Sequence, residues 1–566
     1  DHRDLHSFPT RRSSDLNIIS RGITLQAGSG RAAVIRVEEG GDIAFGVWIN
    51  ATSGGFVKTG PGTLRYTGNA NNLLHKDNVG SDARLNIGAN GEGPTQGFFG
   101  CSIANGRLVL GATFQTNTVS SRLVVGINTT TEAAAETAGE LVVTDGVLNM
   151  NNQVLAVSRN NGTTVTAPGG LSSRLTVTGG IITNANYISL GYQNMSLSGY
   201  NARPVMEMSG GYVHVNNFYI AESSGASATV ILRGGILRPY GTARFAMAAN
   251  TEALFVLDGD ALFETVGAFD TQLGYNNAST AIATLRLNGG TLSTRNVVKA
   301  ANAQGTLLFN GGTLKPHTAG YTLQNLTAAY VSTNGAVIDT SLAAYTVAQN
   351  LLRDPALADA PDGGLVKLGT NTLSLTGTGN TFNGPARVQS GLLRARFGGT
   401  NSLSVAAGAA FDGLGVRCEV GPLTGYGPCT NGTLAVHRRL DAGTNGAPAG
   451  ATMTVQHLTL TAGSTFACDW KTNTLGEVTA DFIAVSGTLA AESHGFVDFG
   501  RDTSDPVPIP FTAPAMSYGS FSGGFNGWKP LNTGLPAGAN VALSLTAENG
   551  TVVLRLRYGG TLIRLR

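Results

Sequence analysis

The sequence predicts an all-β protein, folded as a right-handed parallel β-helix with a smaller β-rich segment at its C-terminal end. Three observations predict it. Glycine supplies 78 of 566 residues, about 14%, and only 13% are charged, against averages of about 7% and about 25% in soluble proteins. Apolar and polar residues alternate with a period of two through much of the chain, the pattern of a strand with one buried face. That alternation recurs at a near-constant interval, interrupted by a glycine bend that is most often a Gly-Gly pair.

The same composition removes several function classes. Gly, Thr, Asn, Ser and Val dominate over Glu and Lys, which disfavours helices. The formal net charge is only +2, from 37 Lys and Arg against 35 Asp and Glu. No basic stripe is therefore available for nucleic acid, and no charge excess for a membrane surface. Apolar residues make up 42% of the chain, far from the composition of a disordered one. No apolar run reaches the eighteen or so residues of a membrane span, so no transmembrane segment is expected.

In chain order, Asp1–Leu16 comes first, with three Asp, three Arg and two His. Residues 6–16 resemble a translated sequencing adapter, and 1–16 are set aside as foreign to the fold. The native start, and any signal peptide, is then not observable.

Residues 17–350 are assigned to the β-helix with Gly-Gly bends. The repeat reads Leu175-Thr-Val177-Thr178-Gly179-Gly180-Ile-Ile182. It returns at Met206–Val213, Val230–Leu237, Phe255–Leu262, Leu285–Leu292 and Leu307–Leu314, with weaker copies at Cys101–Leu108 and Leu141–Leu148. From Gly179 to Gly311 there are five steps over 132 residues, about 26 per step. A second motif follows each bend by about ten residues: Ile188-Ser-Leu190-Gly191, Phe218-Tyr-Ile220-Ala221, Phe245-Ala-Met247-Ala248 and Thr271-Gln-Leu273-Gly274, with earlier copies at Leu85–Gly88, Leu123–Gly126 and Val154–Val157. One such repeat cannot close a core alone, but stacked copies bury continuous columns. The expected columns run through Leu175/Met206/Val230/Phe255/Leu285/Leu307, Val177/Met208/Leu232/Leu257/Leu287/Phe309 and Ile182/Val213/Leu237/Leu262/Leu292/Leu314. Parallel crossovers are almost always right-handed, which sets the expected hand. An array of β-sandwiches is the rival, but it would need hairpin turns every 8–12 residues.

Residues 351–500 continue the β-helix. Residues 501–566 hold a Pro-containing linker, Asp505–Pro510, and a closing hairpin of Val541–Thr546 and Thr551–Arg557 turning at Asn549-Gly550. Within 364–393, Gly364-Leu-Val-Lys367-Leu-Gly369-Thr-Asn-Thr372-Leu373-Ser-Leu375-Thr-Gly377 is followed by Asn380-Thr-Phe382-Asn-Gly384 and Gly391-Leu-Leu393. This resembles the autotransporter-associated β-strand repeat of bacterial passenger domains. Asn371 stands where the family has a second Gly. Gly55-Phe-Val57-Lys58-Thr-Gly60-Pro-Gly62-Thr63-Leu64-Arg-Tyr66-Thr-Gly68 is similar to the first half of the same repeat. Leu458–Thr465 and Asp481–Gly487 also look like late turns of such passengers. The resemblance implies a passenger-type β-helix, outside the cell or on the surface of a Gram-negative-type bacterium, and no particular catalytic activity. No alternating, girdled strands of a translocator barrel follow Gly500.

Residues able to carry chemistry are few. Asp258, Asp260 and Glu264 are the densest acids, with Arg233, Arg238 and Arg286 on neighbouring repeats. Calcium-dependent lyases combine acidic ligands with an Arg or Lys base, and paired carboxylates hydrolyse glycosides. Asp258, Asp260 and Arg233 are therefore the candidate catalytic set of an alternative, polysaccharide-degrading reading. The plainer reading is a polar ladder at the bends, with Arg233 and Asp258 as an ion pair between repeats worth at most about 1 kcal/mol. Tyr192 and Tyr275 occupy matching Leu-Gly-Tyr-x-Asn segments and are the candidate sugar-stacking rings of a second alternative, a non-catalytic carbohydrate-binding protein. Cys418 and Cys429 are the candidate disulfide. The single histidines match no metal-ligand spacing, and no phosphate loop or nucleophile elbow occurs. No metal and no cofactor are expected. Glycans or other cell-surface components are the expected partners, and a structural or adhesive role without catalysis is the first reading.

Overall fold

The computed structural model describes residues 17–19, 23–26, 32–45, 49–53, 55–66, 70–71, 100–103, 106–111, 114–115, 122–128, 139–150, 152–160, 172–192, 202–397, 399, 401–443, 449–472, 475, 477–500, 510–532 and 541–558. Residues 1–16, the Leu85–Gly88 copy and residues 505–509 of the expected linker lie outside these. The described chain is nearly all β, built of many short strands in long parallel sheets, with one 3-10 turn noted at Pro355–Leu357. It divides into two compact units, with the residues between 309 and 329 belonging in alternating short stretches to one or the other.

In the first unit the repeat sets the architecture. Strand Thr251–Leu257 has its alternate side chains buried, and Ala281–Leu287 repeats the pattern. The two pair in parallel, residue for residue, so that Phe255 faces Leu285 and Leu257 faces Leu287. Upstream the register continues: Leu175 pairs with Met206, Met206 with Val230 and Val230 with Phe255. Val177, Met208, Leu232 and Leu257 form the second column in the same way. Leu232 is 1% exposed, and Leu257 and Leu287 are fully buried. Like residues stack on like because each strand meets its own copy from the neighbouring repeat.

The bend between the strands is built on close backbone approach. Gly211 and Gly235 both have positive φ, +80° and +77°, which L side chains rarely adopt. A Cβ on Gly235 would lie 2.6 Å from the Gly210 carbonyl carbon and 2.6 Å from the Gly211 carbonyl oxygen. Glycine is required there twice over, by dihedral and by space.

The structure shifts three expected registers. Ile182, Val213 and Leu237 stack as expected, but the next residue in that column is Phe263, followed by Leu292. Leu262 instead pairs with Ile236 on the outer face. The bend Asp258-Gly259-Asp260-Ala261 holds one residue more than its neighbours, which moves the alternation by one. In the second motif, Phe218 and Ile220 pair with Ala243 and Phe245, not with Phe245 and Met247. Ahead of Leu141–Leu148, the stacked copy is Leu108–Phe114, whereas Cys101 pairs with Leu123 in the strand series of the second motif. Each repeat here thus contributes three strands.

The second unit carries a 13-stranded sheet that begins at Thr322–Leu323. Its parallel register includes Leu373 on Leu393 and Leu393 on Phe411. It ends in a change of direction. Phe511–Ser517 runs parallel to Phe482–Val485 but antiparallel to Thr551–Tyr558, which pairs in turn with Val541–Glu548. The expected closing hairpin is thus present.

Candidate functional site

The candidate acids lie at a bend and do not converge. Asp258 is half-buried, its Oδ1 accepts the Gly259 N–H at 2.8 Å, and its own N–H donates to the Leu232 carbonyl at 2.8 Å. Asp260 and Arg233 are exposed. Among the described residues Arg233 and Asp258 form no ion pair, which corrects the ladder expected there. The bend's extra residue leaves Asp258 capping its own turn. Glu264 is held by Arg238, its register partner on the preceding strand, whose Nε lies 2.7 Å from Oε2.

That pairing is general. Arg107 meets Glu140 at 2.7 Å, Arg174 meets Glu207 at 3.0 Å and Arg394 meets Asp412 at 3.0 Å, each joining neighbouring parallel strands. Arg295 holds Asp270 through two nitrogens, both at 2.8 Å. Among the described residues no group of three or more His, Cys, Asp or Glu is placed to hold a metal ion, and no helix is long and apolar enough to cross a membrane.

The two candidate tyrosines sit differently. Tyr192 is half-buried, packed on Val124, Val154 and Ala156 and 6.2 Å from the Tyr187 ring. Tyr275 is 41% exposed, with the Arg244 guanidinium 4.0 Å above its ring. They occupy matching places in the stack, two residues beyond Leu190 and Leu273. A further aromatic group was not anticipated: His214 stacks on Tyr212 at 5.8 Å and on Tyr240 at 4.7 Å. These ring faces are spent on one another.

Cys418 and Cys429 are both free and buried. The expected disulfide is absent because Cys418 stands opposite Leu434 and Cys429 opposite Phe411, so the two are not register partners. Burial pushes the Cys429 thiol up to about 12 and raises that of Cys418.

Two lysines are the least expected residues of the interior. Lys58 and Lys367, at the same place in the two family-like segments, are fully buried. The Lys367 ammonium donates to the carbonyls of Leu368 at 2.9 Å, Gly369 at 2.6 Å and Ser390 at 2.8 Å, using all three of its hydrogens. Lys58 donates to the Gly60 carbonyl at 2.6 Å. Burial lowers both to about 8, with Arg36 lowering Lys58 further. The signal was in the sequence: Lys367 falls two residues after inward-facing Leu365, on the buried parity of its strand.

Set against known proteins, the chain matches no family model and no curated protein.

Proposed function

We propose that this chain is a right-handed parallel β-helix of a secreted or surface-displayed bacterial protein, with a structural or adhesive role and no catalysis. The observation that carries the reading is the use of charge. Arg107–Glu140, Arg174–Glu207, Arg238–Glu264 and Arg394–Asp412 join neighbouring strands, and the candidate acids Asp258 and Asp260 stay at their bend rather than converging with a base where a substrate would sit. The three parallel strands of each repeat, each meeting its copy in the next, support the solenoid. The resemblance of 364–393 and 55–68 to the autotransporter-associated repeat supports the passenger-type placement. A repetitive surface of this kind binds by many weak contacts in series.

The exposed Tyr275 beneath Arg244 favours, as a second reading, non-catalytic contact with glycans. A glycan array run beside a polysaccharide-degradation screen on residues 17–566 separates the possibilities. The expected outcome is no turnover on plant, algal or bacterial glycans, with or without calcium. Turnover lost on Asp258→Ala or Asp260→Ala would establish the lyase or hydrolase alternative instead. Array binding lost on Tyr275→Ala would establish the second reading.

A further inference from the structure

Strands 470–472 and 478–480 leave the parallel pattern and pair antiparallel, with Trp470 opposite Ala480 and Thr472 opposite Val478. One side chain ties the base of this hairpin. Asp481, 3% exposed, accepts the N–H groups of Gly450 and Ala451 on Oδ1, both at 2.8 Å, and that of Asp469 on Oδ2 at 3.1 Å. Its N–H donates to the Asp469 carbonyl at 2.8 Å, so both ends of the hairpin and the 450–451 segment meet at this carboxyl.

We propose that the Asp469–Asp481 hairpin is a latch that tightens as the medium turns acid and loosens as it turns neutral. The surroundings supply the reason. Asp469 starts the hairpin; Asp441 and Arg439 come from Arg439–Ala442, and Asp498 from Gly495–Asp498. Arg439 bridges Asp441 at 3.2 Å and Asp498 at 2.6 Å and is the cation of this group. Lys471 and Glu477 lie on the hairpin, Lys471 exposed. Cys468 donates its thiol to the Asp481 carbonyl. Phe511–Ser517, packed on Val478–Ala480, contributes no titratable side chain. Above neutrality an ionised Asp481 is thus buried with the Asp469 carboxylate as its charged neighbour, and Asp469 in turn feels Asp441 and Asp498. Burial, then the Asp469 charge, outweighs its three N–H donors and raises it to about 6; Asp469 and Asp441 are raised too, chiefly by burial.

The sign follows from linkage. A carboxyl raised in the closed state binds its proton more tightly there than when the hairpin opens. Closure is therefore favoured below pH about 6 and loses that advantage as pH rises through it. The inference does not depend on the adhesive role. It is tested by hydrogen exchange of the full chain, read on peptides covering 469–481 and corrected for intrinsic rates. Protection should be about tenfold greater at pH 5 than at pH 7.5. Asp481→Asn keeps an acceptor and removes the titration, and should be equally protected at both. Equal protection of the unsubstituted chain at both pH values, or a tenfold difference persisting in Asp481→Asn, overturns the proposal. Where that variant does not fold, the profile of the unsubstituted chain decides: protection must fall between about pH 4 and pH 6 and level off above it, and a fall already complete by about pH 4.5 overturns the proposal.

Discussion

A buried ammonium is costly unless every hydrogen finds an acceptor, and Lys367 meets that condition with three carbonyl oxygens. The residual cost appears in titration. Lys58 and Lys367 release their protons near pH 8 in the fold but near 10.4 in the unfolded chain. Between those values the unfolded chain holds more protons, so stability rises with pH. Each lysine should contribute about 3 kcal/mol to that rise. Denaturant unfolding at pH 7.5 and pH 10.5 checks this: the increase should be smaller by about that amount in Lys367→Met. The glycine bends make a second residue-scale case. Gly235→Ala brings a methyl group to 2.6 Å from two backbone atoms at a positive φ, and should cost well over 1 kcal/mol in the same assay.

At the scale of elements, strands were legible wherever alternation is local. Leu232, Leu257 and Leu287 face inward as their period-two spacing requires. Leu257→Asp puts a carboxylate without a partner between Leu232 and Leu287. It should cost several kcal/mol and unfold the central strands, seen as lost protection of peptides 227–294 in hydrogen exchange. What was not legible depends on bend length. Phe263 rather than Leu262 joins the third column because one extra residue in the preceding turn reverses parity, and nothing in the strand itself reports that. Lys367 was hidden by its charge, although its position was inward. The hairpin base was hidden for another reason. Asp441, Asp469, Asp481 and Asp498 are scattered in sequence and are assembled only by the pairing of Arg439–Ala442 with Thr465–Ala467 and of Thr465–Ala467 with Gly495–Asp498.

At the scale of the whole molecule, the parallel register has a consequence for self-recognition. A strand that pairs in parallel with its own near-copy offers the next copy the same edge, so such a stack is a template that never completes itself. The reversal at Thr551–Tyr558 interrupts that logic. Its strand runs against Phe511–Ser517, and Val541–Glu548 runs against it in turn, so an incoming parallel repeat meets the wrong polarity and the wrong hydrogen-bond spacing. Removing residues 541–566 should bare the edge of Phe511–Ser517 and produce concentration-dependent polymers in light scattering, while the longer chain stays free of them. The final hairpin is then a chain terminator in the polymer chemist's sense: it ends growth by offering a surface that the repeat cannot copy.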